Sequence, residues 1–437
     1  MKKLALHWQI LIGMVLGIVA GLIFSNLGWG KEFVQDWIKP FGTIFIKLLK
    51  LIAIPLILAS LIKGIADLQD IAKFSSIGLK TIGIYIGTTL IAISIGLIAV
   101  NLIQPGNHVT DSTLSELSAS YADAAATKVT KAQSQMQQGP LQFIVDMVPD
   151  NIFGAAAENR NMLQVIFFAV LFGISLLLVE QKKSQALKDV ITGINDTILR
   201  MVDLIMLIAP YAVFALLASL IVETSNPDLF KALASYALTV VLGLSIMLIF
   251  YLTVVKLYTG KTPKYFLNGI APAQLLAFST SSSAATLPVT MERVEEHLGV
   301  DSEITSFVCP VGATINMDGT SLYQAVAAVF ICQALNFDLS FSDQLTIVLT
   351  ATLASIGSAA VPGAGMVMLV IVLESIGFPK DLYMIGLALI FAVDRPLDMC
   401  RTTINVSGDA AVSMIVAKSE NKLHEPHPRN ISDNYEF

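Results

Sequence analysis

Charge and histidine are what this sequence has least of. Of its 437 residues only 14% are Asp, Glu, Lys or Arg, and five are His. Soluble domains carry roughly a quarter of their residues charged, so an ordinary soluble fold is excluded. The histidines (His7, His108, His297, His424 and His427) all lie outside the apolar runs. That removes histidine-based metal sites and histidine proton relays. The three cysteines, Cys309, Cys332 and Cys400, sit in apolar segments without pairing or metal-like spacing, and read as small packing residues. A net charge of −6 does not suggest a nucleic-acid partner.

What the chain has instead is apolar length: 55% hydrophobic residues and a mean hydropathy of +0.72. Runs at 8–25, 41–62, 81–104, 162–179, 201–222 and 236–255 are each long enough to span a bilayer. Met1-Lys2-Lys3 precedes the first run, which is long and shows no small-residue cleavage site before a polar domain; it reads as a retained helix, not a signal peptide. With the N-terminus inside, 15 Lys/Arg fall in inner segments and 7 in outer ones, which predicts cytoplasmic N- and C-termini. Lys47, Lys50, Arg200, Arg395 and Arg401 lie within the spans, and Lys47 and Lys50 are expected to snorkel or line an interface. The polar stretch 105–160 is then an outer loop, ending in an amphipathic lead-in near 141–156.

Beyond Lys264 the apolar runs are repeatedly interrupted. Residues 265–295 hold two short apolar pieces around STSSSAATLPVT (279–290), and 344–376 repeat the pattern around ASIGSAAVPGAG (354–365). In each, small residues precede a proline, Pro288 or Pro362. Each reads as a re-entrant helical hairpin whose non-helical tip lines a protein-buried or watery cavity. Paired interruptions of this kind point to a transporter's midplane site. A third interruption, VCPVGATINMDGTSLYQ (308–324), carries Asn316, Asp318, Gly319 and Thr320. An unwound turn there frees carbonyls for a hard cation, and Asp318 and Asp409 add carboxylates.

The last apolar segment contains FAVDRPLDMCRTTINVSGDA (391–410). At about 100° per residue, Asp394, Asp398, Arg401, Asn405 and Asp409 share one face over about 22 Å of helix rise. Such a face is too costly for lipid and must meet protein, water or a charged solute.

SSSAATLP, NMDGT, a glycine-rich second hairpin tip and DMCRTTINVSGD together resemble the glutamate/aspartate transporter family, the dicarboxylate/amino acid:cation symporters. The resemblance covers essentially the whole chain, and its small size and short tails resemble a prokaryotic member. It implies an all-α polytopic membrane protein of eight transmembrane helices and two re-entrant hairpins, with inverted repeats and an elevator mechanism. It further implies a homotrimer in the prokaryotic cytoplasmic (inner) membrane. The implied function is secondary active uptake of L-aspartate or L-glutamate driven by the sodium gradient. The implied divisions are scaffold helices 1–2 at 1–76, helix 3 of the transport domain at 77–104, and the outer loop with the lead-in to helix 4 at 105–160. Scaffold helices 4–5 follow at 161–228, then the rest of the transport domain at 229–418 and a cytoplasmic tail at 419–437.

Carried over by position, Asp398 binds the substrate amino group and Arg401 its side-chain carboxylate, a task suited to a bidentate guanidinium. Asn405 and Thr402 contact the amino acid moiety, and Thr320 the side-chain carboxylate. Ser282 and Ser283 receive the α-carboxylate at the first hairpin tip, and Val361, Pro362 and Gly365 close the second over it. One sodium site takes Gly312, Asn316, Asn405 and Asp409. A second lies between Thr314, Met317 and the backbone of Ser355, Ile356 and Ser358. A third joins Tyr85, Thr88, Thr89, Asn316 and Asp318. No organic cofactor is implied.

The sequence departs from some relatives in three places. Ser281 stands where they carry an arginine, an extra Arg395 appears in the last helix, and Pro396 is expected to bend that helix or free a carbonyl.

Other readings stand beside this one. Asp398 and Arg401, at i,i+3, also suit a purely structural ion pair. The serines also suit close helix packing, and NMDGT also suits a kink without a ligand. A membrane-embedded enzyme is disfavoured because no histidine base lies in the spans for Ser282, and an aspartyl dyad needs carboxylates converging on one water. A channel is disfavoured by two hairpin gates. Proton coupling or a C4-dicarboxylate substrate is the runner-up.

Overall fold

The computed structural model describes residues 6–66, 71–109, 147–158, 161–223, 233–356 and 364–427, with the isolated positions 126, 127, 129, 130 and 145. Among these residues the chain is helical, and the one extended pairing is an isolated antiparallel bridge between Val300 and Leu423. Among the described residues six long helices frame the first part: α1 (Leu6–Ser25), α2 (Lys39–Ala66), α3 (Ile71–Ile103), α4 (Met162–Leu178), α5 (Gln181–Met206) and α6 (Ala209–Glu223). Trp8–Ser25, Ser76–Asn107 and Ala234–Thr259 are, among the described residues, the three stretches apolar and long enough to cross a membrane on their own.

One apolar run is not one helix. The stretch 201–222 breaks at Leu207–Ile208, because Pro210, in the first turn of α6, has no N–H to donate to the Met206 carbonyl and its ring crowds that carbonyl. Its first half instead finishes α5, whose buried Ile191, Asn195, Ile198, Val202 and Ile205 recur at helical spacing and face α2. Lys188 donates from α5 to the carbonyl of Ala66, at the end of α2 (2.7 Å). Lys47 is exposed; most of the outer loop 105–160, including 141–144 of the lead-in, and the Lys50 side chain lie outside the described residues. Asn151 does cap a short helix at Ile152–Ala156, accepting from Phe153 and Gly154 N–H.

The second part begins with α7 (Ala234–Thr259) and the first hairpin, α8 (Pro263–Thr280) and α9 (Ser283–Glu292). The hairpin turns at Ser281–Ser282, not at Pro288, which is inside α9. Ser281 adopts a left-handed φ of 53°, and Ser282 caps α9 through its hydroxyl, which accepts from Ala285 N–H at 3.2 Å. Next come α10 (Ser302–Ile315) and α11 (Asp318–Ala334), two half-helices separated by non-helical Asn316 and Met317. The second hairpin is α12 (Phe341–Ile356) and α13 (Ala364–Ser375); its tip, 357–363, lies outside the described residues. The chain closes with α14 (Tyr383–Ser419), 37 residues and so about 56 Å long, well beyond a hydrocarbon thickness of about 30 Å. Its helix continues through Pro396.

Packing separates two groups. α1 lies on α6, and α2 on α4 and α5. α14 is surrounded by α7, α8, α10 and α11, and α3 lies on α11 and α7. The groups meet chiefly where α9 and α10 touch α2, with smaller contacts of α8 on α1 and α6, of α10 on α4 and of α9 on α5. At one end of the molecule Lys80 of α3 pairs with Glu420 beyond α14 (2.5 Å). At the other, Asn101 of α3 donates to Gln344 of α12 (2.9 Å).

Candidate functional site

The polar face of α14 is buried. Asp394, Asp398, Arg401, Thr402, Asn405 and Asp409 are each at most 8% exposed. A lone charge at that depth is untenable, and Arg401 is paired with Asp394 and Asp398. Arg401 Nε donates to Asp398 Oδ1 (2.9 Å) and Nη1 to Asp394 Oδ1 (3.0 Å). The guanidinium carbon stands 4.0 Å over the centre of the Tyr323 ring, and Tyr323 Oη donates to Asp394 Oδ1 (2.8 Å). Nη2 has no hydrogen-bond partner among the described residues. It faces Gly365 at the start of α13, where a Cβ would come to 3.3 Å from Nη2 and 3.1 Å from Thr320 Cγ2. Arg395 reaches the same acid from outside: 44% exposed, its Nη1 is 3.8 Å from Asp398 Oδ2.

One turn further, Asn405 ties α14 to the broken helix. Its Oδ1 accepts from Gly319 N–H (2.8 Å), and its Nδ2 lies 3.3 Å from both Thr320 Oγ1 and Met317 Sδ. Gly319 is required there, since a Cβ would meet the main-chain carbonyl of Arg401. Thr402 spends its hydroxyl on the Asp398 carbonyl (2.7 Å). The serines of the first hairpin are buried at its tip, and α8 packs along α14 through Gln274, which donates to Ser407 Oγ (2.9 Å). Within the hairpin Ser282 N–H donates to Thr280 Oγ1 (3.3 Å), and its carbonyl accepts from Thr286 Oγ1 (2.9 Å).

A second polar cluster lies below the break. Asn316 Nδ2 donates to Asp409 Oδ1 (3.0 Å). A Cβ on Gly312 would run into Asp409 Oδ1 and the Tyr85 hydroxyl, which brings these three positions to one point. Tyr85 Oη donates to the carbonyl of Val308 (2.9 Å). Thr88 Oγ1 is 3.5 Å from Asn316 Oδ1, and Thr89 donates to Asp318 Oδ1 (2.6 Å). The break leaves terminal carbonyls of α10 and terminal N–H groups of α11 without helical partners at this level. The result is a packed set of carboxylate, amide, hydroxyl and carbonyl oxygens, hard donors that suit an alkali cation better than a soft metal.

Not every expected set is brought together. Thr314 and Ser355 spend their hydroxyls on their own helices, on Val311 (3.0 Å) and Thr352 (2.8 Å) carbonyls. Ile356 is described only in its backbone, and Ser358, Val361 and Pro362 lie outside the described residues. Two residues were missed from the sequence: Tyr251 of α7, which donates to Asp318 Oδ2, and Tyr323, which carries Arg401; Asp394, read as part of the polar face without a role of its own, takes the second bond of Arg401. The available signal was a tyrosine in an apolar span, which cannot be left with its hydroxyl in lipid.

A helical bundle with two hairpins, a broken helix and buried opposite charges beside hard-donor oxygens defines a secondary transporter of charged solutes. The chain belongs to the Sodium:dicarboxylate symporter family, whose profile matches residues 6–419, and within it to the glutamate/aspartate transporters. It is 36% identical over 428 residues to the proton/sodium-glutamate symport protein of Geobacillus stearothermophilus, covering 97% of both chains. It is 36% identical to the proton/glutamate-aspartate symporter of Escherichia coli K12, covering 96% of this chain and 94% of that one. It is also 37% identical to human excitatory amino acid transporter 3, covering 95% and 86%. The family is one of symporters, not enzymes.

Proposed function

We propose that this protein takes up L-aspartate and L-glutamate by symport with sodium. The observation that carries the reading is Arg401. It is fully buried, held rigid by two carboxylates and an aromatic face, and keeps Nη2 turned towards Thr320 and Gly365. A substrate side-chain carboxylate accepts from Nη2, with Thr320 beside it. Asp398 exchanges part of its bond to Arg401 for the substrate ammonium, while Asp394 and Tyr323 hold the guanidinium in place. Asn405 and Thr402 border the amino acid moiety, and Ser282 and Ser283 present the first hairpin tip to the α-carboxylate. Val361, Pro362 and Gly365 close over it.

Sodium ions are co-substrates of the oxygen clusters: Gly312, Asn316, Asn405 and Asp409 in one, and Tyr85, Thr88, Thr89, Asn316 and Asp318 in another. A third forms from Thr314, Met317, Ser355, Ile356 and Ser358 as the second hairpin closes. Sodium orders the NMDGT break first, and the hairpin shuts when sodium and substrate are both bound, which couples the fluxes. The α2–α9 and α2–α10 contacts support a division into a scaffold (1–76 and 161–228) and a moving domain (77–104 and 229–418), working as an elevator in a homotrimer. The same reading gives eight spans, the inner membrane of a prokaryote, and cytoplasmic termini.

The names of the relatives favour one second reading: coupling to protons. Uptake of labelled L-aspartate into proteoliposomes separates the two. Sodium-dependent, glutamate-competed uptake is expected. Uptake on an inward proton gradient alone keeps the substrate and overturns the sodium sites. No uptake on either gradient overturns the substrate.

A further inference from the structure

The chain continues past α14 in an ordered tail. Residues 422–427 lie against the segment that follows the first hairpin. Asp301 N–H donates to the Lys422 carbonyl (3.1 Å), His424 N–H to Gly299 (2.7 Å) and His427 N–H to Glu296 (2.9 Å). Gly299 has φ of 71°, and a Cβ there would strike the His424 carbonyl, so the close approach requires glycine. Lys422 Nζ fastens the tail to Glu303 (2.9 Å) and Asp301 (3.4 Å).

This docking gathers three of the five histidines at one corner. Glu292, Glu296 and His297 each offer one ligand atom, and the three atoms lie within 4.8 Å of one another. Both glutamates are buried, at 3% and 4% exposure. In an α-helix Glu292 and His297 would stand roughly 140° apart. Residues Arg293–His297 instead form a π-turn, closed by Leu298 N–H on the Arg293 carbonyl (3.1 Å). The i→i+5 geometry returns His297 to the face of Glu292, and such π-bulges recur at functional sites. Glu296 also lines an adjoining cavity of about 250 Å³ that holds Asp301, His424 and His427.

We propose that Glu292, Glu296 and His297 form a divalent transition-metal site, with His424 or His427 of the tail as a further ligand across the cavity. Two carboxylates and an imidazole are a zinc ligand set. Ligands about 2.1 Å from a zinc stand about 3.4 Å apart, so the side chains close by about 1.4 Å at most. A metal here rivets the tail to the base of the first hairpin. The absence of histidine from the spans set aside histidine-based metal chemistry on sequence grounds; the fold assembles it where the spans end.

The experiment uses the full chain, purified without a histidine tag, stripped with chelator and reloaded with zinc. One equivalent of zinc per chain by elemental analysis is expected, with a melting temperature that rises with zinc concentration. Glu296→Gln and His297→Ala are each expected to weaken zinc binding at least tenfold, and His424→Ala combined with His427→Ala to weaken it less. His7→Ala combined with His108→Ala should change nothing. Cobalt(II) absorption in the wild-type protein gives a readout independent of variant folding. Sub-stoichiometric zinc, cobalt without ligand-field bands, or binding that survives in the Glu296 and His297 variants overturns the site. None of these readouts involves transport.

Discussion

Arg401 owes its orientation to its neighbours. With two carboxylates on Nε and Nη1 and the Tyr323 ring beneath, the guanidinium has one edge left to offer. Arg401→Ala removes that edge and leaves Asp394 with the Tyr323 hydroxyl alone and Asp398 with only the half-exposed Arg395. Losing one partner of a buried charge pair costs about 2–5 kcal/mol, so aspartate uptake should fall below detection while the protein remains folded. Arg401→Lys should recover little, because an ammonium cannot serve three oxygens in one plane. Robust uptake by either variant removes Arg401 from the substrate site. Asp409→Asn and Tyr251→Phe probe the cation cluster. The first deletes a carboxylate that Asn316 already orients, and the second frees the Asp318 carboxylate that Tyr251 fixes. A lost bond to a buried charged group is worth about 1–3 kcal/mol, so each should raise the half-saturating sodium concentration roughly 5- to 150-fold. An unchanged sodium response clears the residue of that role.

At the scale of elements, the contact of α1 with α6 is set by glycine. Gly13 and Gly17 lie on one face of α1, and a Cβ at either would meet the backbone of Pro210 or Phe214. Within lipid the hydrophobic effect does not drive helices together, and close backbone approach supplies the attraction. Gly17→Val should therefore separate α1 from α6 at a cost of about 1–3 kcal/mol. The expected readout is a lower melting temperature in detergent with an unaltered KM for aspartate, since neither helix carries the site. A wild-type melting temperature in that variant refutes the packing argument. The hairpins and the α10–α11 break were legible as interruptions, because polar and small residues cannot be hidden within a lipid-facing helix. Their exact turning points were not. The serines of the first hairpin were placed at its tip, and Pro288 lies inside α9; that the turn falls at Ser281 was not legible, because its left-handed backbone is carried by a serine and not by the glycine or asparagine that usually marks one. The break at Leu207–Ile208 was hidden for a related reason. Leu207 and Ile208 are as apolar as their neighbours, and only Pro210 marks the start of α6.

At the scale of the whole molecule, the contacts divide the helices into two groups that meet chiefly along α2. If the second group moves across the first during transport, cross-links between α2 and α9 should arrest uptake. Cross-links between α2 and α5, within one group, should not. The test is best made in a background lacking the buried Cys309 and Cys332 and the half-buried Cys400. Uptake that persists with α2 joined to α9 rules out a rigid elevator.

The all-α membrane architecture, the polar face of α14 and the residue types of the proposed cation cluster were legible in the chain alone. Hydrocarbon imposes a local cost on every polar group, so each departure from apolar character is visible wherever it occurs along the chain. The partners of these residues emerge from the folded packing. Tyr251 and Asp318 are 67 residues apart, Tyr323 and Asp394 are 71, and no local pattern couples them. The same holds for the tail, where Gly299 admits the backbone of His424 and brings the histidines to Glu296. Pairings of that kind follow from which helix faces are pressed together, and the faces are chosen by the packing of the whole bundle.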